Sequence, residues 1–272
     1  PDDRRRTSSV SVNGQRDYAN SYLVDGIDNN ERYIGTIIVK PSQDALQEFR
    51  VQTNSYAAEV GRTAGGVINL ITKSGTNEYH GSAYYFHRNS AFDARNFFDG
   101  KNIAPFRRHQ FGGALGGAIK KDKTFFFTNY ERLSEIKGLS FNSDTISENA
   151  RRGILCNPGS AVVNGNCTNT RQVQIDPRMV PYLTLYPVAN AAVTGDTGRF
   201  GFAAPRLGTE NYVIGKIDHY FSSATTLFGN YSYDDTDLSV MDNYGLKSIT
   251  SPSRRINGIL SLQHVFSPTL IS

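Results

Sequence analysis

Residues 110–120 read QFGGALGGAIK and residues 124–133 read TFFFTNYERL, with only Lys121-Asp122-Lys123 between them. Successive side chains of a strand point to opposite faces, so an apolar row with a polar row between marks a sheet with one greasy side. In the first run Phe111, Leu115 and Ile119 share a face, with Gln110, Ala114 and Lys120 on the other. The second run is aromatic-rich and alternates less cleanly. Together they predict two long strands joined by a tight, charged turn.

The pattern continues along the chain. Residues 212–221 (YVIGKIDHYF) set Val213, Ile217 and Phe221 against Lys216 and Asp218. Residues 225–235 set Leu227, Tyr231 and Tyr233 against Thr226, Asn230, Ser232 and Asp234. Residues 254–266 set Ile256, Leu260, Leu262 and Phe266 against Arg255, Asn257, Ser261 and Gln263. A further strand is expected over 81–88 (GSAYYFHR). Runs of this length exceed the roughly 5–6 residues usual in globular sheets and suit tilted membrane-barrel strands of roughly 9–11. Short connections are expected at 121–123, 222–224 and 267–268, and long ones at about 89–109, 134–211 and 236–253. Short and long alternate, as in an antiparallel barrel with tight turns on one rim and loops on the other.

Composition bounds the rest. At 272 residues and 30.1 kDa the chain has room for one large domain or two ordinary ones. The apolar fraction of 38% leaves little for a thick, two-sided core, and 20% charge is too low for a disordered polyelectrolyte. Mean hydropathy is −0.42, and no apolar run approaches the roughly 18 residues of a membrane helix. That excludes a helical membrane protein but not a barrel, whose strands need apolar residues only at alternate positions. The net charge is +4, and the basic clusters (Arg4-Arg5-Arg6, Arg107-Arg108, Arg151-Arg152, Arg254-Arg255) sit at segment edges rather than on one face. They read as solvated loop charges, and no nucleic-acid partner is expected. Cys156 and Cys167 lie close together in a Gly/Asn/Pro-rich stretch. They fit a local disulfide in an oxidising compartment, the alternative being two unpaired thiols. Both ends read as cut, the chain opening Pro-Asp-Asp-Arg and closing Ile271-Ser272.

The first seventy-odd residues differ: a turn-rich Asp25-Gly26-Ile27-Asp28-Asn29-Asn30, then a helix candidate after Pro41 (SQDALQEF) with Ser42 as N-cap and an Ala45, Leu46, Phe49 stripe. Gly65-Gly66 then predicts a turn feeding a buried strand, VINLIT. Here Glu48-Phe49-Arg50-Val51, Gly61-Arg62 and Gly65-Gly66-Val67-Ile68-Asn69-Leu70-Ile71-Thr72-Lys73 resemble the end of the plug domain of TonB-dependent outer-membrane receptors. Val12-Asn13-Gly14-Gln15-Arg16, Leu23 to Asn30, Asp93-Ala94-Arg95-Asn96-Phe97-Phe98, Gln110-Phe111-Gly112-Gly113 and Lys121 to Phe127 are similar to the Oar-like subgroup. The Gly-Pro of siderophore-type plugs is replaced by Gln52-Thr53-Asn54, so no iron-siderophore specificity is carried over.

The resemblance implies a mainly β chain: the C-terminal part of a small α+β plug domain (1–76), then about six strands (77–272) of a transmembrane antiparallel β-barrel of about 22. It places the protein in the outer membrane of a Gram-negative bacterium, bounded by lipid, with the short turns on the periplasmic rim. It implies active transport of an unidentified bulky solute, driven by the TonB complex through an N-terminal box absent from this sequence. The alternatives are a structural or adhesive outer-membrane barrel without transport and a soluble secreted β-rich enzyme.

Candidate site residues follow from the same reading. The plug motif comprises Glu48, Arg50, Gly61, Arg62, Gly65, Gly66 and Asn69, and Glu48, Arg50, Glu59 and Arg62 are candidates to pair with lumen-facing charges and hold the plug. Asp25, Asp28 and Asn30, with Asn29 and Glu31, offer oxygen atoms to Ca²⁺ without EF-hand spacing, and Asx-rich turns form for backbone reasons alone. The histidines (80, 87, 109, 219, 264) lack catalytic or zinc-site spacing. No catalytic residue, cofactor or enzymatic activity is expected.

Overall fold

The computed structural model describes residues 10–31, 33, 36–54, 63–94, 103, 105–267 and 270–271. The N-terminal part forms a small sheet of β1 (Ser21–Val24), β2 (Ile27–Asp28), β3 (Leu46–Gln52) and β4 (Val67–Thr72), ordered β2-β1-β4-β3. β1 runs parallel to β4, and the other pairs are antiparallel. Strand alternation puts Tyr22, Val24, Ile68 and Leu70 in one buried cluster. Gly65 and Gly66 are dictated by close approach: a Cβ on the first would lie 2.3 Å from the Asn20 side chain, and on the second 2.9 Å from Val12.

The helix expected after Pro41 does not form. Only a single 3-10 turn, Gln43–Ala45, precedes β3, and the Ser42 side chain makes no capping bond. From Leu46 the chain pairs with β4, Phe49 opposite Leu70, so ladder hydrogen bonds override a 3.6-residue stripe only three residues deep.

Apart from short two-residue and three-residue ladders at 30–37 and within 147–198, the rest is a large antiparallel meander in which each strand pairs with its sequence neighbours: β5 (His80–Asn89), β6 (Phe106–Lys120), β7 (Thr124–Ile146), β8 (Thr197–Ser222), β9 (Thr225–Met241), β10 (Ser248–Ser267) and β11 (Leu270–Ile271). All the strands expected from alternation are present, but β7 and β8 reach much further. Their ladder runs from Thr124–His219 to Ile146–Thr197. Consequently the long connection expected over 134–211 contracts to 147–196, and that over 236–253 to 242–247. Beyond the apolar band both faces of the strands carry polar residues, so alternation fades while backbone pairing, which ignores side-chain polarity, continues. Tight turns still lie on one rim and the connections 90–105, 147–196 and 242–247 on the other.

The burial of this sheet is inverted relative to a soluble fold. On β8, Lys216 and Asp218 are 7% and 8% exposed, while Ile217 between them is 52% exposed. Asn230, Ser232 and Asp234 of β9 are buried, whereas Tyr231, Leu260, Leu262 and Phe266 are open on the opposite face. From Phe221 to Val213 the apolar row spans about 27 Å along the strand, or about 19–22 Å normal to a membrane at the usual 35–45° tilt. The roughly 25 Å lipid-facing band of outer-membrane barrels is of that size. Aromatic side chains bound it: Phe221 and Phe266 near the tight turns, and Tyr85, Tyr130 and Tyr233 toward the other rim.

Candidate functional site

The buried polar face of the large sheet meets the small sheet, and there the chain concentrates its polar chemistry. Two apolar contacts seat the small sheet. Its main cluster takes in Ile259 of β10, and Val39 and Ala45 pack with Phe127, Tyr212 and Ile214 of the wall.

Three polar latches flank these contacts. In the first, Asp25 sits at the β1–β2 turn with φ of 50°, beside Gly26, whose N–H donates to the Asn69 side chain at 3.2 Å. The Asp25 carboxylate accepts from the Thr72 N–H and hydroxyl at 2.9 and 2.7 Å, and from the Asn230 amide of β9 at 2.9 Å. The Lys216 ammonium of β8 lies 3.7 Å away and also donates to the Thr72 hydroxyl at 3.3 Å. Both charged side chains are almost fully buried; Lys216 is the ion-pair partner of Asp25, and the buried Asp218 carboxylate is a second negative neighbour of Lys216.

In the second latch Glu131 of β7 is the acceptor. Ser42 donates to it from the small sheet's side at 3.1 Å, joined by Gln110 at 3.1 Å and by the Tyr84 hydroxyl. Gly112 makes room for that tyrosine, since a Cβ there would lie 2.6 Å from the Tyr84 oxygen and 2.4 Å from the Tyr130 carbonyl. The third latch is Arg255 of β10, which donates to the backbone carbonyls of Ile38 and Ile37 at 2.6 and 3.2 Å. Above the latches the wall is braced within itself by Glu135, bridged to Arg108 at 2.6 Å and Arg206 at 2.5 Å.

The residues singled out in the sequence are distributed differently. Glu48 and Arg50 bond each other at 3.0 Å, both about half exposed, so this ion pair lies within β3 and not across to the wall. Glu59, Gly61 and Arg62 lie outside the described residues. Asp25 takes Lys216, Thr72 and Asn230, whereas Asp28 accepts from the Asn30 backbone N–H at 3.0 Å. Asn30 itself pairs with the Tyr22 backbone, its side chain accepting at 2.9 Å and donating at 3.2 Å. The Asx run thus carries backbone pairing, the Asp25–Lys216 ion pair and the Asp25 bonds to the Thr72 hydroxyl and the Asn230 amide. Of the residues that carry the latches with Asp25 and Lys216, Ser42 is marked in the sequence only as an N-cap, a role it does not take, and Glu131 and Asn230 belong to no local motif. The signal of Glu131 and Asn230 is a polar row where a soluble strand would bury apolar residues.

Two of the histidines are brought together: His87 of β5 stands opposite His109 of β6 with ring centroids 4.5 Å apart, and the Tyr85 hydroxyl hydrogen-bonds His109 Nδ1 at 2.6 Å. His219 bonds Thr124 and His264 bonds Thr225, each at 2.8 Å, and each packs edge-on against the phenylalanine two residues later. At the other rim, Cys156 and Cys167 are joined with Cα atoms 5.6 Å apart. Asp196 lies beside them, but sulfurs bonded to each other offer no thiolate to a metal. The 147–196 segment is further pinned by Arg151 of helix α1 (Glu148–Arg151), whose guanidinium donates to the carbonyls of Leu183 and Pro187 at 2.5 and 2.6 Å.

Residues 71–272 match the outer membrane beta barrel domain family. This chain belongs to that family. The barrel's inverted burial is therefore that of a wall with lipid outside, and the protein resides in the outer membrane of a Gram-negative bacterium. Over 129 residues the chain is 35% identical to the TonB-dependent transporter Oar of Myxococcus xanthus, covering 44% of this chain and 12% of that protein. Among solved structures, the outer membrane transporter YddB of Escherichia coli aligns with a TM-score of 0.55 at 12% identity, over 95% of this chain and 31% of its own. The siderophore receptor PiuA of Acinetobacter baumannii aligns at a TM-score of 0.41 and 14% identity, over 95% of this chain and 37% of its own. The barrel chain thus spans about one eighth of the curated relative and under two fifths of these structures.

Proposed function

We propose that this chain carries the gate of an energised outer-membrane transporter, with residues 1–76 closing a plug domain and residues 77–272 opening the barrel around it. The observation that supports this most is the way the small sheet is held: its apolar contacts are two separate clusters, and beside them it is tied to the polar inner wall by hydrogen bonds and one buried ion pair, centred on Asp25–Lys216. Such contacts are strong at rest, yet they can be exchanged for water one at a time when the chain is pulled, whereas a continuous apolar seam would have to open at once. The pull would come from the TonB complex, acting through an N-terminal box and powered by the inner-membrane proton gradient. The cargo is a bulky solute entering past the long-connection rim, and no step requires catalysis.

Ser42 gives a readout that needs no knowledge of the solute. In the resting state its hydroxyl is buried against Glu131. In cells making full-length Ser42→Cys protein, labelling by a membrane-impermeant maleimide should rise when TonB is present and the inner membrane energised, and fall after an uncoupler. Labelling indifferent to both TonB and the uncoupler would overturn the proposal and favour a static, adhesive wall.

A further inference from the structure

The outward face of the large sheet is not uniformly covered with side chains. Gly215 of β8 stands opposite Tyr231, which stands opposite Gly258 of β10, and one step toward the tight-turn rim Ile217 faces Gly229, which faces Leu260. These glycines share the outward parity of the exposed apolar row, and a Cβ at Gly215 or Gly258 would meet nothing within 4 Å. They leave a shallow groove of about 490 Å³, whose outward-facing lining is Phe126, Thr128, Gly215, Ile217, Gly229 and Tyr231. Lys216 and Asn230 also border it but are buried on the inner face, so the outward side chains are aromatic or branched, with the Thr128 and Tyr231 hydroxyls for polarity.

A cation stands directly above. Arg132 lies four residues beyond Thr128 on β7 with the same parity, about 14 Å further toward the long-connection rim. Its guanidinium donates to the Asn211 side-chain oxygen at 3.0 Å, and the Tyr130 hydroxyl donates to the same oxygen at 3.1 Å. Arg132 is therefore positioned by a neutral amide, and among the described residues no carboxylate pairs with it. Arg254 in the same cross-strand row is instead paired with Asp235 at 3.4 Å. An apolar slot topped by an oriented guanidinium at the edge of the greasy band has the polarity profile of a lipid with an anionic head.

We infer that this groove is a specific lipid site, taking one acyl chain of a phosphorylated lipid of the extracellular leaflet along Gly215 and Gly229, with its phosphate on Arg132. The short turns, which in such barrels face the periplasm, put the Arg132 end outward and fix the leaflet. Because the site lies on the outer wall, it does not depend on the gating proposed above.

The test uses the full-length protein extracted from outer membranes in mild detergent, with bound lipid counted by native mass spectrometry. The probes are an acylated glycolipid carrying phosphate and its dephosphorylated counterpart. Gly215→Leu fills open space on a strand, so it should fold, as checked by the heat-dependent gel shift of barrels, and retain roughly tenfold less of either lipid. Arg132→Gln should cut retention of the phosphorylated lipid roughly tenfold, the worth of one charge-assisted contact, while leaving the dephosphorylated one unchanged. Equal retention of both probes by the unaltered protein, undiminished retention by folded Gly215→Leu, or a detergent-stable dimer covering Gly215 would each overturn the assignment.

Discussion

Asp25 shows how far a side chain's role is decided by residues remote in the chain. In sequence it heads an Asx-rich turn that offers oxygen atoms to a cation, but in space a lysine 191 positions later supplies the positive charge. Lys216 in turn reads as one polar residue among several on β8, and nothing local distinguishes it. The φ of 50° at position 25 limits which substitutions are informative, because asparagine tolerates that conformation and a β-branched residue does not. Lys216→Met should leave the Asp25 carboxylate buried without its charge partner and cost about 3–5 kcal/mol, and Asp25→Asn should leave the ammonium with Asp218 as its acidic neighbour. The double variant should recover at least about 1 kcal/mol of the summed loss, since its members touch. Urea titration of protease protection of residues 10–54 in the full-length protein measures all three, and strict additivity would mean that the pair is not coupled. A second single-residue test concerns Gly112. Gly112→Ala drives a methyl into the Tyr84 hydroxyl and the Tyr130 carbonyl and should destabilise the wall by about 1–3 kcal/mol. Gly215→Ala, which meets open space, should be near neutral in the same unfolding assay.

At the scale of elements, what was legible tracks where the environment is asymmetric. Residues 212–221, 225–235 and 254–266 alternate because one face meets lipid and the other a polar interior, so the strands could be read and their faces assigned. Residues 134–146 (SEIKGLSFNSDTI) pair just as regularly with β8, yet water and polar groups on both sides remove the contrast that a reader needs. The turn 242–247 was hidden for the same reason, and also because its closure is a side-chain matter: Asp242 accepts from the backbone N–H groups of Leu246 and Tyr244 at 2.8 and 3.2 Å. The SQDALQEF stretch failed in the opposite sense, since a helical spacing was present but a sheet edge outcompeted it. In the 147–196 connection the disulfide closes a short loop, which in the chain-entropy treatment stabilises the segment by about 3 kcal/mol. Arg151 ties the same segment down at its base. Reduction, or Cys156→Ser with Cys167→Ser, should therefore expose 147–196 to protease without moving the melting of the barrel, and Arg151→Ala should add to the effect. A parallel fall in barrel melting would show that the segment supports the wall itself.

At the scale of the molecule, the large sheet is a meander whose described ends, β5 and β11, pair on one side only. β5 presents the unpaired backbone groups of His80–Asn89, with Tyr85 and Phe86 exposed beside them. Leu260 at 79% exposed and Ile217, Leu262 and Phe266 above half mark a continuous greasy exterior. In water these two features act together: the open edge templates pairing with another copy, and the apolar face rewards it. Backbone groups left unpaired inside a bilayer are equally unfavourable, so the 272-residue chain should not insert as an isolated open sheet either. Expressed alone it should form heterogeneous oligomers or require detergent throughout, with mass by light scattering well above 30.1 kDa. Closing the edge should reverse this, because a barrel has none: supplying the remaining strands in cis, in the full-length protein, should give a species that is monodisperse in detergent and shows a heat-dependent gel shift. A monodisperse monomer of the 272-residue chain with a cooperative melt in plain buffer would refute the open-edge argument. It would require the small sheet, which now fills the inner face, to be covering β5 or β11 instead.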